Sequence, residues 1–250
     1  MGSTVCQAVA TDPDLDLVAA VDPHHAGLEL SVVAGTPGVD LQVSRDPANF
    51  EAAGVGVAID FTEASAARSN LLWLAEHRIH AVVGTTGFTD ADLDEFGEAF
   101  VRSNCVIAPN FAIGAVLMMR LAAAAAPYFD TAEIIELHHD AKVDAPSGTA
   151  KLTAQRLADA KGTWEPDPTT ATSYDGVRGG LGPGGIRVHA VRMRGMVAHQ
   201  EVILGTTGQT LTIRHDSIDR TSFMPGVILA VKAVADHPGV TIGLDPMLGL

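Results

Sequence analysis

A chain of 250 residues has room for one large or two small domains around a sizeable buried core. The net charge of −14 disfavours nucleic acid and anionic membranes as partners, and no uncharged apolar run of about 18 residues marks a transmembrane helix. Two cysteines, Cys6 and Cys105, are too few for a disulfide framework and suit a reducing cytoplasm, and no basic, apolar leader stands at the start.

Residues 1–111 alternate helix-like and strand-like segments. Helices are predicted at Ser3 to Ala10, Ala64 to Glu76 and Ala91 to Arg102, and strands at Leu15 to Val21, Val55 to Phe61, Ala81 to Gly84 and Cys105 to Ala108. Such alternation predicts an α/β domain with a parallel sheet. Asp22 closes the second of these units, where an acidic residue commonly holds the adenosine ribose of a dinucleotide. Standing before Pro23, it also suits a turn. Ile113 to Tyr128 then reads as a helix rich in Ala, Leu and Met, with Met118 and Met119 as core fillers.

The most informative stretch runs from Glu136 to Ala150. An apolar strand, Ala132 to Leu137, leads into His138, His139 and Lys142, with His138 to Ala145 read as loop because Pro146 biases its predecessor away from helical geometry. Ala150, Ala154, Leu157 and Ala158 then share one helical face. Ser147 or Thr149 can cap that helix, and the small Gly148 lets a carboxylate approach its first amides. A metal reading of His138, His139 and Asp140 is not adopted, because adjacent residues rarely converge on one ion and no further ligand stands at a familiar spacing. An anionic ligand would need a local positive patch, for which Lys142, His138, His139, Arg214 and Arg220 are candidates.

Beyond this helix, Gly162 to Gly185 is read as a long connection rich in Pro and Gly. Ile186 to Arg194, Ala198 to Gly205 and Gln209 to His215 are strand candidates, which suggests an α+β second domain with antiparallel strands on one side of a helix. Met224 to Ala235 is a last helix, with Pro225 in its tolerant first turn.

The string His138-His139-Asp140-Ala141-Lys142-Val143-Asp144-Ala145-Pro146-Ser147-Gly148-Thr149-Ala150 closely resembles the signature of the 4-hydroxy-tetrahydrodipicolinate reductase (dihydrodipicolinate reductase) family. Ala81 to Phe88, Ala108 to Phe111, Arg214 to Asp216 and Arg220 to Phe223 resemble further family segments in order, so the likeness spans nearly the whole chain. It implies a Rossmann-like α/β dinucleotide-binding domain over 1–111 and 220–250, and an α+β substrate-binding and tetramerisation domain over 112–219 with a mixed or antiparallel sheet.

The resemblance also implies site roles. His138 would be the general acid/base and Lys142 a second proton-donating cation, with His139, Gly148 and Thr149 binding the small dicarboxylate substrate. Gly84, Thr85, Thr86, Ala108, Pro109, Asn110 and Phe111 would position the nicotinamide half of NADH or NADPH. No Lys or Arg directly follows Asp22, so NADH or dual use is expected, with His24 and His25 nearest to a 2′-phosphate. Of the family's Gly-x-x-Gly-x-Met-Gly phosphate loop only Met1 and Gly2 remain, Met1 being the expected cofactor contact. Met1 is accordingly read as an internal methionine, with roughly ten residues upstream completing the first strand and loop. An alternative is a non-catalytic relative that keeps the pocket and the homotetramer but cannot hold a dinucleotide.

Overall fold

The computed structural model describes residues 1–249, which separate into two compact units: Met1–Phe111 with the segment from Phe223 onward, and Ala112–Ser222. The second segment of the first unit thus starts at Phe223 rather than at residue 220. Among the described residues no helix is long and apolar enough to cross a membrane.

The first unit opens with α1 (Gly2–Thr11), followed by the short helices α2 (Leu30–Ala34) and α3 (Phe50–Ala53). Its sheet is built from β1 (Val57–Asp60), β2 (His80–Val83) and β3 (Cys105–Ile107), linked by α4 (Ala64–Glu76) and α5 (Asp90–Ala99). All three strands are parallel neighbours, as the alternating pattern requires. Leu71, Leu74, Val83, Phe96, Phe100 and Ile107 fill the core beside them. A capping box sets the start of α5, Thr89 accepting from the Asp92 amide and Asp92 from that of Thr89.

The expected strand Leu15 to Val21 is not one. Its only ladder partner among the described residues is a single bridge from Val21 to Ser44, with Val18 and Val21 exposed. The residues have strand composition, but a strand exists only where a neighbour supplies a row of matching amides and carbonyls.

The second unit holds α6 (Ile113–Ala125) and β4 (Thr131–His138), then α7 (Gly148–Lys161). The remaining strands are β5 (Gly180–Leu181), β6 (Arg187–Arg192), β7 (Ala198–Thr206) and β8 (Gln209–Ser217). Their order is β5-β6-β4-β7-β8. The sheet is mixed: β4 pairs antiparallel with β7 but parallel with β6, so the all-antiparallel option is excluded. The connection over 162–185 is what a parallel return requires, and β5 forms within it. Ala132, Ile134, Glu136, Val202 and Leu204 are buried, whereas Ile135, Leu137 and Ile203, whose side chains point to the opposite face, stay half-buried.

The chain then returns to the first unit as α8 (Met224–Ala233), with Pro225 in its first turn. Gly226 sits where a Cβ would lie 2.1 Å from the Phe111 carbonyl oxygen, so only glycine permits this packing. Last comes β9 (Val240–Ile242), too short for the sequence to announce, which pairs parallel with β3 and completes the order β1-β2-β3-β9.

Candidate active site

His138 is the final residue of β4, paired with Arg192 on β6 and Ala198 on β7, and not the first residue of a loop as expected. Alternation places it on the same face as Glu136. The Glu136 side chain is fully buried and collects four donors. Oε2 accepts from His138 Nδ1 and, at 2.9 Å, from Arg192 Nη1; Oε1 accepts from Arg192 Nη2 at 2.8 Å and from the Ser147 amide at 3.0 Å. Arg192 Nη2 also donates to the Asp144 carbonyl at 2.7 Å.

A buried carboxylate would ordinarily be driven toward its neutral form. Burial does push Glu136 up, but the hydrogen bonds from Arg192, His138 and the Ser147 amide outweigh it and hold the group below the usual carboxylate range. For His138, burial pushes the imidazole below its ordinary value, and the nearby Lys142 and Arg192 charges act in the same direction against the Glu136 carboxylate.

The loop after β4 turns back through Lys142, whose Nζ donates to Asp144 at 2.7 Å, while its amide donates to the His139 carbonyl. His139 itself is exposed. Of the two possible caps the structure selects Ser147, whose hydroxyl accepts from the Ala150 amide at 3.2 Å. The first amides of α7, on Gly148 and Thr149, project from the positive end of the helix dipole. A Cβ on Gly148 would meet no atom within 4 Å, so the space beside this first residue of the helix is open. The helix end is therefore suited to an anion, and the segment leading to it carries the Lys142 cation and the His138 imidazole.

Two members of the expected positive patch do not join this group. Arg214 on β8 aligns with Glu201 and, through it, with Ile135, which alternation puts on the face opposite His138. There it is engaged by Glu201 and Asp216. Arg220 lies beyond the sheet, in the 3₁₀ turn Arg220–Phe223.

In the first unit, Gly84-Thr85-Thr86 and Ala108-Pro109-Asn110-Phe111 follow the carboxyl ends of β2 and β3, the edge at which open parallel sheets receive ligands. Side chains from the end of β1, which sequence reasoning did not single out, shape this edge. A Cβ on Gly84 would lie 2.0 Å from Phe61 Cε1, and Phe61 in turn packs on Phe111 with ring centroids 5.8 Å apart. Buried Asp60 accepts from the Thr62 amide and from Asn70 Nδ2, both at 2.8 Å, while Thr85 donates to the Thr62 carbonyl. The only available signal was the strand-end run Asp60-Phe61-Thr62. Arg192 was equally invisible, lying 56 positions from Glu136.

Asp22 stands half-exposed, 20 positions after Gly2, and accepts from His25 Nδ1 and the His24 amide, both at 2.8 Å. The His25 bond, aided by the His24 amide and the charge of both rings, keeps its carboxyl below the usual range. Met1 occupies the N-cap of α1 without a side-chain cap bond, and Gly2 is exposed. An uncapped helix end, the Asp22 carboxylate and glycine-shaped loops at the strand ends are groups of the kind that hold a dinucleotide, and they fit one.

A parallel sheet of the kind that holds dinucleotides, in one chain with a histidine, a lysine and a helix end suited to an anion, points to a two-domain nicotinamide-dependent oxidoreductase. The particular kind follows from comparison with known proteins. Residues 1–111 match the family model for the dihydrodipicolinate reductase N-terminus and residues 114–248 that for its C-terminus. Over all of this chain and 95% of the relative, it is 49% identical to 4-hydroxy-tetrahydrodipicolinate reductase of Nocardia farcinica. The same enzyme of Mycobacterium marinum is 50% identical with the same coverage. The dipicolinate-bound dihydrodipicolinate reductase from Paenisporosarcina superposes with a TM-score of 0.85 at 36% identity, covering 98% of this chain and 94% of that one. An amine dehydrogenase from Mycobacterium smegmatis, at 15% identity and TM-score 0.66 over 96% of this chain and 91% of its own, shares the fold alone.

The chain belongs to the dihydrodipicolinate reductase family. Its reaction is the NAD(P)H-dependent reduction of 4-hydroxy-tetrahydrodipicolinate in diaminopimelate and lysine biosynthesis. The alternative of a non-catalytic relative gains no support.

Proposed function

We propose that His138 is the acid/base group of this reduction, and that Lys142 and the start of α7 hold the substrate. The observation that carries the reading is the convergence of His138, Lys142 and the Ser147-capped turn through Glu136 and Asp144. A nicotinamide held by this chain would supply the hydride. His138, an imidazole that burial pushes below its ordinary value, exchanges the proton that accompanies loss of the hydroxyl as water and reduction of the ring. Lys142 leaves Asp144 to offset negative charge developing on the ring nitrogen. The Gly148 and Thr149 amides receive one substrate carboxylate, and His139 assists from its exposed position. The Paenisporosarcina relative, whose structure holds dipicolinate, supports a dicarboxylate ligand of this shape. Residues 1–111 with 223–250 act as the dinucleotide unit, and Gly84 to Thr86 and Ala108 to Phe111 position its nicotinamide half.

The test is steady-state kinetics on His138→Gln and Lys142→Ala. The first lowers kcat by about 10²–10⁴-fold with NADH affinity unchanged, and the second also weakens substrate binding. Normal turnover in His138→Gln removes that residue from the mechanism.

NADH is slightly favoured over NADPH, with dual use, because the ionised Asp22 carboxylate repels a 2′-phosphate. Asp22→Asn therefore raises the ratio of kcat/KM for NADPH to that for NADH; an unchanged ratio refutes the assignment. The half-buried face of the second sheet bearing Ile135, Leu137 and Ile203 supports a homotetramer, which native mass spectrometry would show as four copies and whose absence would refute it. Two unpaired cysteines and a nicotinamide-dependent biosynthetic step support a cytoplasmic location, which fractionation of cells would test.

A further inference from the structure

We propose that Glu136 is the positioning residue of the acid/base site: its buried carboxylate fixes the His138 proton on Nδ1 and, with Arg192, ties that proton to the Lys142 loop and the anion-binding turn. The inference rests on His138 being the acid/base group. Its observation is the hydrogen-bond inventory of one fully buried carboxylate. Every partner of Glu136 is a donor: His138 Nδ1, two Arg192 nitrogens and the Ser147 amide. A carboxylate only accepts, so a neutral imidazole must present Nδ1–H to it, and proton exchange with the substrate then falls to Nε2.

The same carboxylate sets the geometry of the rest. Oε1 holds the Ser147 amide, immediately before α7, while Arg192 bridges Glu136 to the Asp144 carbonyl, in the residue whose side chain holds Lys142. The charged groups facing His138 are Glu136 on its own strand, Arg192 on β6 and Lys142 on the loop; only Glu136 favours the imidazolium. A protonated His138, the form that can donate, therefore depends on this one anion.

Replacement by Gln keeps the volume and tests the donor count. Arg192 and the Ser147 amide cannot become acceptors, whereas His138 Nδ1 can. The new amide lies at lowest cost with its oxygen toward Ser147 and its NH₂ toward His138, which moves the neutral ring's proton to Nε2. The experiment is ¹⁵N NMR of the imidazoles in the full chain, with the His138 signal assigned by its loss in His138→Gln, alongside pH profiles of kcat. The wild-type neutral ring is expected as the Nδ1–H tautomer and that of Glu136→Gln as Nε2–H. In Glu136→Gln, kcat falls about 10²-fold with KM for NADH unchanged, and the pH limb belonging to His138 moves to lower pH. A wild-type ring carrying Nε2–H overturns the proposal, even if Glu136→Gln does not fold. So does a folded Glu136→Gln that keeps both the Nδ1–H tautomer and the wild-type pH profile. Normal turnover in His138→Gln instead removes the acid/base reading itself, whatever tautomer is seen.

Discussion

The two candidate regions, one in each unit, are built by different means. Around His138, side chains reach across β4, β6 and the following loop to one buried carboxylate, so position is set by charge-assisted hydrogen bonds. At the ends of β1, β2 and β3 position is set by shape: a glycine where no side chain fits unless the Phe61 ring shifts, and Phe61 against Phe111. The first arrangement suits a group that must hold a proton in one place. The second suits a surface on which a flat ring is to lie. Damage to the first should be electrostatic and steep, and damage to the second steric and graded.

The largest effect is expected from Glu136→Ala, which removes the carboxylate shared by Arg192, His138 and the Ser147 amide. Breaking a buried pair of this kind costs about 3–5 kcal/mol, to be read from urea unfolding of the second unit. A loss below about 1 kcal/mol would mean that the network relaxes without harm and that the contrast is false. Gly84→Ala should be milder, about 1–3 kcal/mol, because the Phe61 ring must shift to admit the new methyl group. Its signature is a weaker NADH dissociation constant with an unaltered His138 NMR signal; unchanged NADH binding would dissociate Phe61 from the cofactor edge. The smallest stability change is expected at Gly148→Ala, within about 0.5 kcal/mol, since nothing lies within 4 Å of the added carbon. The same methyl group intrudes where a carboxylate should dock, and KM for the substrate should rise about 10-fold. A normal KM would place the carboxylate elsewhere.

Local features were legible in the sequence, and long-range ones were not. Ala64 to Glu76 matches α4 at both ends because its periodicity and boundaries are contained within the segment. The turn before α7 was readable because Pro146, Ser147 and Gly148 are consecutive. Leu15 to Val21 failed because composition reports what a strand could be made of, not whether a partner exists. The parallel placement of β6 beside β4 and the bonding of Arg192 to Glu136, 56 positions away, are long-range contacts for which a single sequence carries no periodic signal. Glu136 lies within the most informative stretch, but an apolar-strand pattern over Ala132 to Leu137 assigns its charge no task. An acidic residue at a core-facing position two residues before a histidine was the clue.

The strand β9 carries a consequence for the order in which the protein can be made. It pairs with β3, yet all of Ala112–Ser222 lies between them in the chain. Asn104 waits with it, since its side chain bonds the Val234 and Ala235 carbonyls and the Gly239 amide. On the ribosome, β1, β2 and β3 are therefore held with an unfilled sheet edge until the whole second unit has emerged. The second unit can finish folding while the first is still open, so the part synthesised first can be the last to close.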